Sequence, residues 1–371
     1  MANLDLFALP HISPIGVRSR AEYNVWRKQA NDNDHGIRIM ATRIAVLGSG
    51  AWGTAVAIVL AQNPQHRVAL WSARPENAAW HANRENVRLL PGVMIPTSIQ
   101  LTTDIRQAVE AVDLLIAAIP TVHLRPTLER VAPQIPIDVP LVSLVKGLEI
   151  HTFHRPTEIA LDVLGERSVA ALSGPSHAEE VARGLPTTLV CASDDLELAS
   201  SVQQCCSTGR VRVYTNADIV GVELAGALKN VIGIAAGISD GLGLGDNSKS
   251  ALLTRGLAEM ARFGIALGAT AQTFWGLAGM GDLVTTCISR HGRNRAVGER
   301  LGKGEKPADI QASTSMIAEG VFTAKSVHEK SMQMGIPMPI CTEVYRVIYE
   351  QKDPLQAVQA LMQRELRSEH W

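Results

Sequence analysis

Gly48-Ser49-Gly50-Ala51-Trp52-Gly53 follows the apolar run 44–47 and precedes an apolar helical segment from residue 54 to about 61. A G-x-G-x-x-G carries weight only in such a strand–turn–helix setting, because glycine turns are common elsewhere. In that setting Gly48 permits the tight turn, Gly50 lets a pyrophosphate approach the backbone, and Gly53 lets helix and strand pack closely. On either side of this loop, further apolar runs stand at 68–71, 113–119, 141–145, 169–172 and 188–191, separated by segments of helical periodicity. Strands buried on both faces read this way, which predicts a parallel sheet wrapped by helices. After Tyr214 the pattern changes: Asn216 or Asp218 can cap a long apolar helix to about residue 236, and helical periodicity continues to the C-terminus. The expected fold is α/β, an N-terminal Rossmann-type doubly wound parallel sheet over 41–216 followed by an all-α domain over 217–371. Residues 1–40 read as a loosely ordered extension, with Met40 a candidate natural start.

Composition bounds the possibilities. The 371 residues suit two domains, and 46% hydrophobic with 19% charged residues is a globular composition. A net charge of -1 offers no long-range attraction to nucleic acid or anionic membrane, so any bound anion has to meet a local cluster. Five cysteines, none in a C-x-x-C pair, read as reduced thiols of a cytoplasmic protein. No stretch reads as a membrane span or a secretory signal, and no metal-ligand spacing appears. A homodimer is the assembly considered, without a residue pattern that fixes it.

The local cluster sought is Arg290-His291-Gly292-Arg293-Asn294-Arg295. Guanidinium forks bind phosphate bidentately, so a small phosphorylated partner is the economical reading; the alternative is a solvated run. Nucleic acid would need more basic surface and more stacking aromatics than 4% aromatic content offers. At the second strand's end, where an NAD site usually places an acid, the chain reads Ser72-Ala73-Arg74. A carboxylate there would repel a 2′-phosphate and a guanidinium would hold one, so NADP is expected alongside NAD, unless Arg74 is merely a solvated loop residue.

Lys146 lies beyond an apolar strand, where ligands of open α/β sheets bind, and Gly174-Pro175-Ser176 leaves another strand in the same way. Either could be a plain strand exit. Lys229 and Asn230 interrupt an otherwise largely apolar helix. A lysine partly withdrawn from water is suited to pass a proton at neutral pH, whereas a snorkelling lysine would only reach solvent. The Gly-rich turn before Asp282 and Thr286 delivers a carboxylate that could orient an ammonium or cap a helix.

Together, Gly48–Gly53, Lys146-Gly147, Ser173-Gly-Pro-Ser-His-Ala178, Leu228-Lys-Asn230, Gly281-Asp-Leu-Val-Thr-Thr286 and Gly292-Arg-Asn294 resemble bacterial NAD(P)-dependent glycerol-3-phosphate dehydrogenase, in order over about 42–365. The resemblance implies reduction of dihydroxyacetone phosphate, with the product used for glycerophospholipid synthesis. It also implies Lys229 as acid/base, with Lys146 and Asp282 completing the polar site. Arg293 and Asn294 would meet the substrate phosphate, near Gly174, Ser176, Thr286 and Gly292. Gly48, Gly50, Ala51, Trp52, Gly53, Arg74, Lys146, Ala178, Arg293, Ile317 and Glu319 would line the cofactor. Three positions depart from the family's habit: Ala51 and Gly292, where serine is usual, and Ala73, where a polar or basic residue commonly stands. The rivals are a two-domain reductase of carboxylate substrates, of the 3-hydroxyacid dehydrogenase or ketopantoate reductase type, and a non-catalytic NADP sensor.

Overall fold

Where the glycine loop opens is set by three strands. β1 (Arg43–Leu47) pairs in parallel with β2 (Arg67–Trp71) and with β4 (Leu114–Ala117), so that Leu47 stands opposite both Trp71 and Ala117. Both ladders continue past β1: Gly48 N donates to Trp71 O at 3.0 Å and Ala118 N to Leu47 O at 2.8 Å. The sheet's topological switch therefore falls at this strand's carboxyl end, the place where open α/β sheets take their ligands. With β3 (Gln100–Thr102), β5 (Leu141–Ser143), β6 (Val169–Ser173), β7 (Thr187–Ala192) and β8 (Val211–Asn216), the sheet has eight strands in the order β3-β2-β1-β4-β5-β6-β7-β8. Alternation within each strand covers both faces. Ile44, Val46, Val68 and Leu70 enter one core, and Ala45, Leu47, Ala69 and Trp71 enter the other.

The computed structural model describes residues 42–74, 82–289, 291–313, 317–366 and 368–369. The extension over 1–40 and the candidate start at Met40 lie outside them, as does Arg290. The α/β class and the parallel core are as expected, with corrections at the margins. β6 and β7 run antiparallel, and neither β3 nor β8 is among the expected strands. β3 is a three-residue strand, and β8 alternates exposed and buried residues instead of presenting a continuous apolar run.

Helices α1 (Ala51–Leu60), α2 (Ile105–Ala108), α3 (Thr121–Val131), α4 (Pro156–Leu164), α5 (Ala178–Ala182) and α6 (Leu196–Cys206) accompany the strands. After β8 the chain is helical: α7 (Ile219–Gly241), α8 (Gly245–Ala266), α9 (Ala271–Trp275), α10 (Asp282–Ile288), α11 (Arg293–Gly302), α12 (Pro307–Ser313), α13 (Glu319–Met334), α14 (Pro339–Tyr349) and α15 (Pro354–Met362). α1 begins three residues earlier than expected, because Gly50, in extended conformation, is already its N-cap.

α7 organises this second half. Asp218 caps it by accepting from Gly221 N at 2.8 Å, while its other oxygen takes Thr270 and Thr273 hydroxyls near α9. Glu223 is buried and accepts from Thr157 N at 2.9 Å, Thr157 Oγ1 at 2.6 Å and Arg155 Nη1 at 2.6 Å, which ties α7 to the start of α4. The expectation that no stretch approaches a membrane span is corrected here. Among the described residues α7 alone is long and apolar enough, with mean hydropathy 1.6 over its most apolar window, yet 89% of that window is buried inside the fold. α11 crosses α7 at backbone contact: a Cβ on Gly237 would lie 2.0 Å from Arg295 O, and one on Gly298 2.0 Å from Ile234 O.

Candidate active site

Lys229 sits midway along α7 and is 8% exposed. Its ammonium donates to Asp282 Oδ1 at 2.9 Å and to Thr286 Oγ1 at 2.5 Å, so it turns into the fold and does not snorkel to solvent. Asp282 is 2% exposed and begins α10, directly after a π-helical turn over Leu277–Gly281. That turn closes with Gly281 N on Gly276 O, a bond spanning five residues. Gly279 lets it press onto the Phe274 backbone, where a Cβ would meet Phe274 O at 2.0 Å. The wider turn of a π-helix rotates the next residues of the chain relative to an α-helical path. Here Asp282 takes up two lysines and does not serve as a helix cap.

The second lysine is Lys146. It stands three residues beyond β5 and donates to Asp282 Oδ2 at 2.7 Å, Ser176 Oγ at 3.0 Å and Gly174 O at 2.9 Å. Gly174, at φ +120°, leaves β6 in a conformation that favours glycine and turns its carbonyl to that ammonium. Burial lowers the Lys146 pKa to about 8; Asp282 opposes this and neighbouring Lys229 reinforces it. Burial alone would raise the Asp282 carboxyl, but the two ammonium groups outweigh it and hold it below its ordinary value. One buried carboxylate thus bridges two ammonium groups, and the net excess of positive charge faces the sheet's carboxyl edge.

Asparagines brace this centre. Asn230 Nδ2 donates to Lys146 O at 2.8 Å, Asn294 Nδ2 donates to Asn230 Oδ1 at 2.8 Å, and Gly320 N donates to Asn294 Oδ1 at 3.0 Å. Arg293 opens α11, exposed, with Nη1 donating to Ile317 O at 3.2 Å. Arg295 points elsewhere, pairing with Asp240 at 2.7 Å, so the arginine run of the sequence divides between site and scaffold. Gly292 passes close beneath Thr286, where a Cβ would meet Thr286 O at 2.9 Å; a serine there would have to displace that turn.

The glycine loop meets the requirements of a dinucleotide pyrophosphate. Gly48 adopts φ +115°, and a Cβ on it would strike Ala118 O at 2.5 Å. A Cβ on Gly53 would lie 2.0 Å from Gly48 O, whereas Gly50 has open space before it. Ala51 and Trp52 supply first-turn amides of α1, whose N–H groups have no partner inside the helix. Trp52 Nε1 is a buried donor with no protein partner among the described residues. Ala178 begins α5 in the core against which Ala51 and Trp52 pack. Arg74 is exposed just past β2, with its backbone amide on Ser72 Oγ at 3.2 Å. Glu319 reaches across the site: its Oε1 accepts from Thr121 N at 2.9 Å, and burial raises its pKa. Gly147 lies against both residues, and a Cβ there would meet Thr121 Oγ1 at 2.2 Å and Glu319 Oε2 at 2.6 Å.

One contributor, Thr121, was not singled out from the sequence, and for another, Asn230, only the residue and not its partners was legible. Thr121 opens α3 at the carboxyl edge of β4, and the edge rule applied to Ile119-Pro120-Thr121 would have found it. Asn230 was visible as a polar residue in an apolar helix, but its three-way bonding depends on partners 84 and 64 residues away.

Comparison with known proteins agrees with this geometry. The chain matches the family models "NAD-dependent glycerol-3-phosphate dehydrogenase N-terminus" over residues 43–199 and "NAD-dependent glycerol-3-phosphate dehydrogenase C-terminus" over 218–359. It is 47% identical over 333 residues to a glycerol-3-phosphate dehydrogenase [NAD(P)+] of Chlorobium phaeobacteroides, covering 89% of this chain and all of that one. It is 48% identical over 335 residues to the protein so named in Chlorobium limicola, covering 88% of this chain and 99% of the other. A crystal structure of glycerol-3-phosphate dehydrogenase from Coxiella burnetii superimposes with a TM-score of 0.84 at 38% identity, covering 87% of this chain and 99% of that one. These matches do not favour the carboxylate-substrate rival. On this identity over nearly the whole described fold, the chain belongs to the NAD-dependent glycerol-3-phosphate dehydrogenase family.

Proposed function

We propose that the chain reduces dihydroxyacetone phosphate reversibly to sn-glycerol 3-phosphate, using NADPH or NADH, in the cytoplasm and for glycerophospholipid synthesis. The observation that carries this reading is the buried Lys229 ammonium, held between Asp282 and Thr286. When bound, the reduced nicotinamide supplies the hydride. Lys229 gives its proton to the ketone oxygen and stabilises the charge developing there. Asp282 fixes the ammonium's direction, and Lys146 adds a second positive charge beside it. Arg293 and the first turn of α11 with Asn294 take the substrate phosphate; Gly292, Thr286, Gly174 and Ser176 shape the wall around its carbon chain.

The cofactor lies along Gly48, Gly50, Ala51, Trp52 and Gly53, with Arg74 at the 2′-phosphate and Lys146, Ala178, Arg293, Ile317 and Glu319 toward the nicotinamide end. Residues 41–216 then serve as the dinucleotide-binding part and 217–371 as the substrate-binding part. The five described cysteines are all free thiols, in keeping with a reducing compartment. The test is the rate of NADPH and NADH oxidation by purified protein with dihydroxyacetone phosphate, with dihydroxyacetone and ketopantoate as controls. Rapid oxidation only with the phosphorylated ketone is expected. Turnover of ketopantoate, or of no ketone, overturns the reading.

A further inference from the structure

Away from Lys229, helices α8, α14 and α15 flank a half-open cavity of about 440 Å³ floored by α7. Its floor residue Ser239 lies ten positions beyond Lys229 on the same helix, roughly 15 Å along the axis, so it is a separate place. The walls are aliphatic, with Ile238, Leu252, Ile340, Val344, Ala357 and Leu361 among them, and the lining contains no aromatic ring among the described residues. Two features distinguish it from a packing gap. Ser239 is only 6% exposed, yet its hydroxyl has no hydrogen-bond partner among the described residues. Buried hydroxyls ordinarily find one. The second feature is charge, since Arg255, Arg262 and Arg364 all line the cavity.

Its two acids, Glu259 and Glu343, are outnumbered by those three guanidiniums, although Glu259 faces Arg262 and Arg364. Glu343 is engaged by Arg346 at 2.8 Å and by Lys352 at 2.5 Å. Glu259 is buried and accepts from Ile340 N at 2.7 Å and from Cys341 N at 3.3 Å, so its oxygens serve the start of α14. Arg255 donates to Glu369 O at 3.1 Å, a neutral carbonyl, whereas Arg262 donates to Pro337 O at 2.7 Å and also faces the Glu259 carboxyl. The rim is therefore cationic and the interior apolar, with one unsatisfied hydroxyl at its base.

We propose that this cavity is a binding site for an aliphatic anion, whose hydrocarbon tail fills the groove and whose carboxylate or phosphate head meets Arg255 and Arg364. Cavities of roughly 300–1,000 Å³ accept small ligands of this size class. Aliphatic walls without aromatic rings offer no stacking to a nucleobase or an aromatic acid, and guanidiniums at the mouth select an anionic head over a neutral one.

The experiment is calorimetric titration of the full chain, saturated with NADPH and glycerol 3-phosphate, both already reduced and so unable to react, so that the Lys229 site and glycine loop are filled. Decyl phosphate and decanoate are the probes, with decanol and inorganic phosphate as controls that carry only one half of the chemistry. At least one of the two anions binds, about tenfold or more tighter than either control, and the preferred probe identifies the head group. Ala251→Trp, an exposed position on α8 that would fill the groove without entering the core, abolishes that binding while leaving turnover unchanged. Arg255→Glu with Arg364→Glu weakens it by about tenfold or more. Equal binding of decanol, unchanged binding in Ala251→Trp, or no heat from either anion overturns the proposal. So does sedimentation showing a dimer that Ala251→Trp splits into monomers, which would assign the groove to a second copy of the chain.

Discussion

Asp282 is the residue on which the most depends. Replacing it with Asn would leave the Lys146 and Lys229 ammonium groups beside each other without their shared counter-charge. Breaking a buried pair by removing one partner costs about 3–5 kcal/mol, so Asp282→Asn should lower the denaturation midpoint strongly and abolish turnover. Equilibrium urea unfolding measures the first, and a near-wild-type midpoint would mean that the two lysines do not share this carboxylate in solution. Lys229→Ala should behave differently, keeping NADPH affinity while turnover falls by about a hundredfold or more, because it removes the proton donor and leaves the glycine loop intact. Cofactor titration, with steady-state kinetics on the same variant, separates those two effects.

Lys146 gives the site a pH limit. Its folded pKa, about 8, lies below the ordinary lysine value of 10.5. Below about 8 both folded and unfolded chains hold the proton. Between about 8 and 10.5 the folded chain has released it and the unfolded chain still holds it, so this group's contribution favours the folded state increasingly as pH rises through that window. Its positive charge in the site is lost over the same rise. Accordingly kcat/KM should fall as pH climbs through about 8, and Lys146→Arg, whose guanidinium keeps its charge, should shift that limb upward. An identical profile in the variant would assign the limb to another group.

At the scale of elements, the α7–α11 crossing determines where Arg293 and Asn294 stand. Gly237 and Gly298 let the two backbones touch, and a Cβ on either would collide with a carbonyl at 2.0 Å. Gly237→Ala should push α11 outward, costing about 1–3 kcal/mol by overpacking and raising KM for the phosphorylated ketone more than KM for cofactor. The α1 loop responds in the opposite sense. A side chain on Gly53 meets Gly48 O at 2.0 Å, so a substitution there strikes cofactor binding first. Measuring both KM values in the two variants tests whether the elements carry the two ligands separately; equal effects on both would count against that division.

For the whole molecule, the chain from Lys146 through Asn230 and Asn294 to Gly320 joins the sheet edge to three helices of the second half. Asn230→Ala would leave Lys146 O and Asn294 Nδ2 without this partner, at about 1–3 kcal/mol for each buried group left unpaired. Turnover should fall along with thermal stability, since Lys146 and α11 lose their common brace. Unaltered kcat in a destabilised variant would limit Asn230 to a packing role.

Features that depend on neighbours along the chain were legible in the residues alone. Continuous apolar runs and the glycine spacing marked β1, its loop and α1, and the cap candidates Asn216 and Asp218 marked the start of α7, because strand, turn and cap chemistry all act within a few residues. The site residues could be read individually, as polar interruptions of apolar runs and as members of family motifs. Other features emerged only when distant segments came together. The antiparallel turn of β7, the pairing of a three-residue β3 and the inclusion of alternating β8 depend on long-range ladder bonds that no local window contains. That Asp282 serves two lysines 136 and 53 residues away, while Arg295 of the same basic run serves Asp240, is likewise a matter of which groups are buried together. Burial sets both pairing and charge state, because removing water makes an unpartnered ion costly and a neighbouring counter-ion decisive.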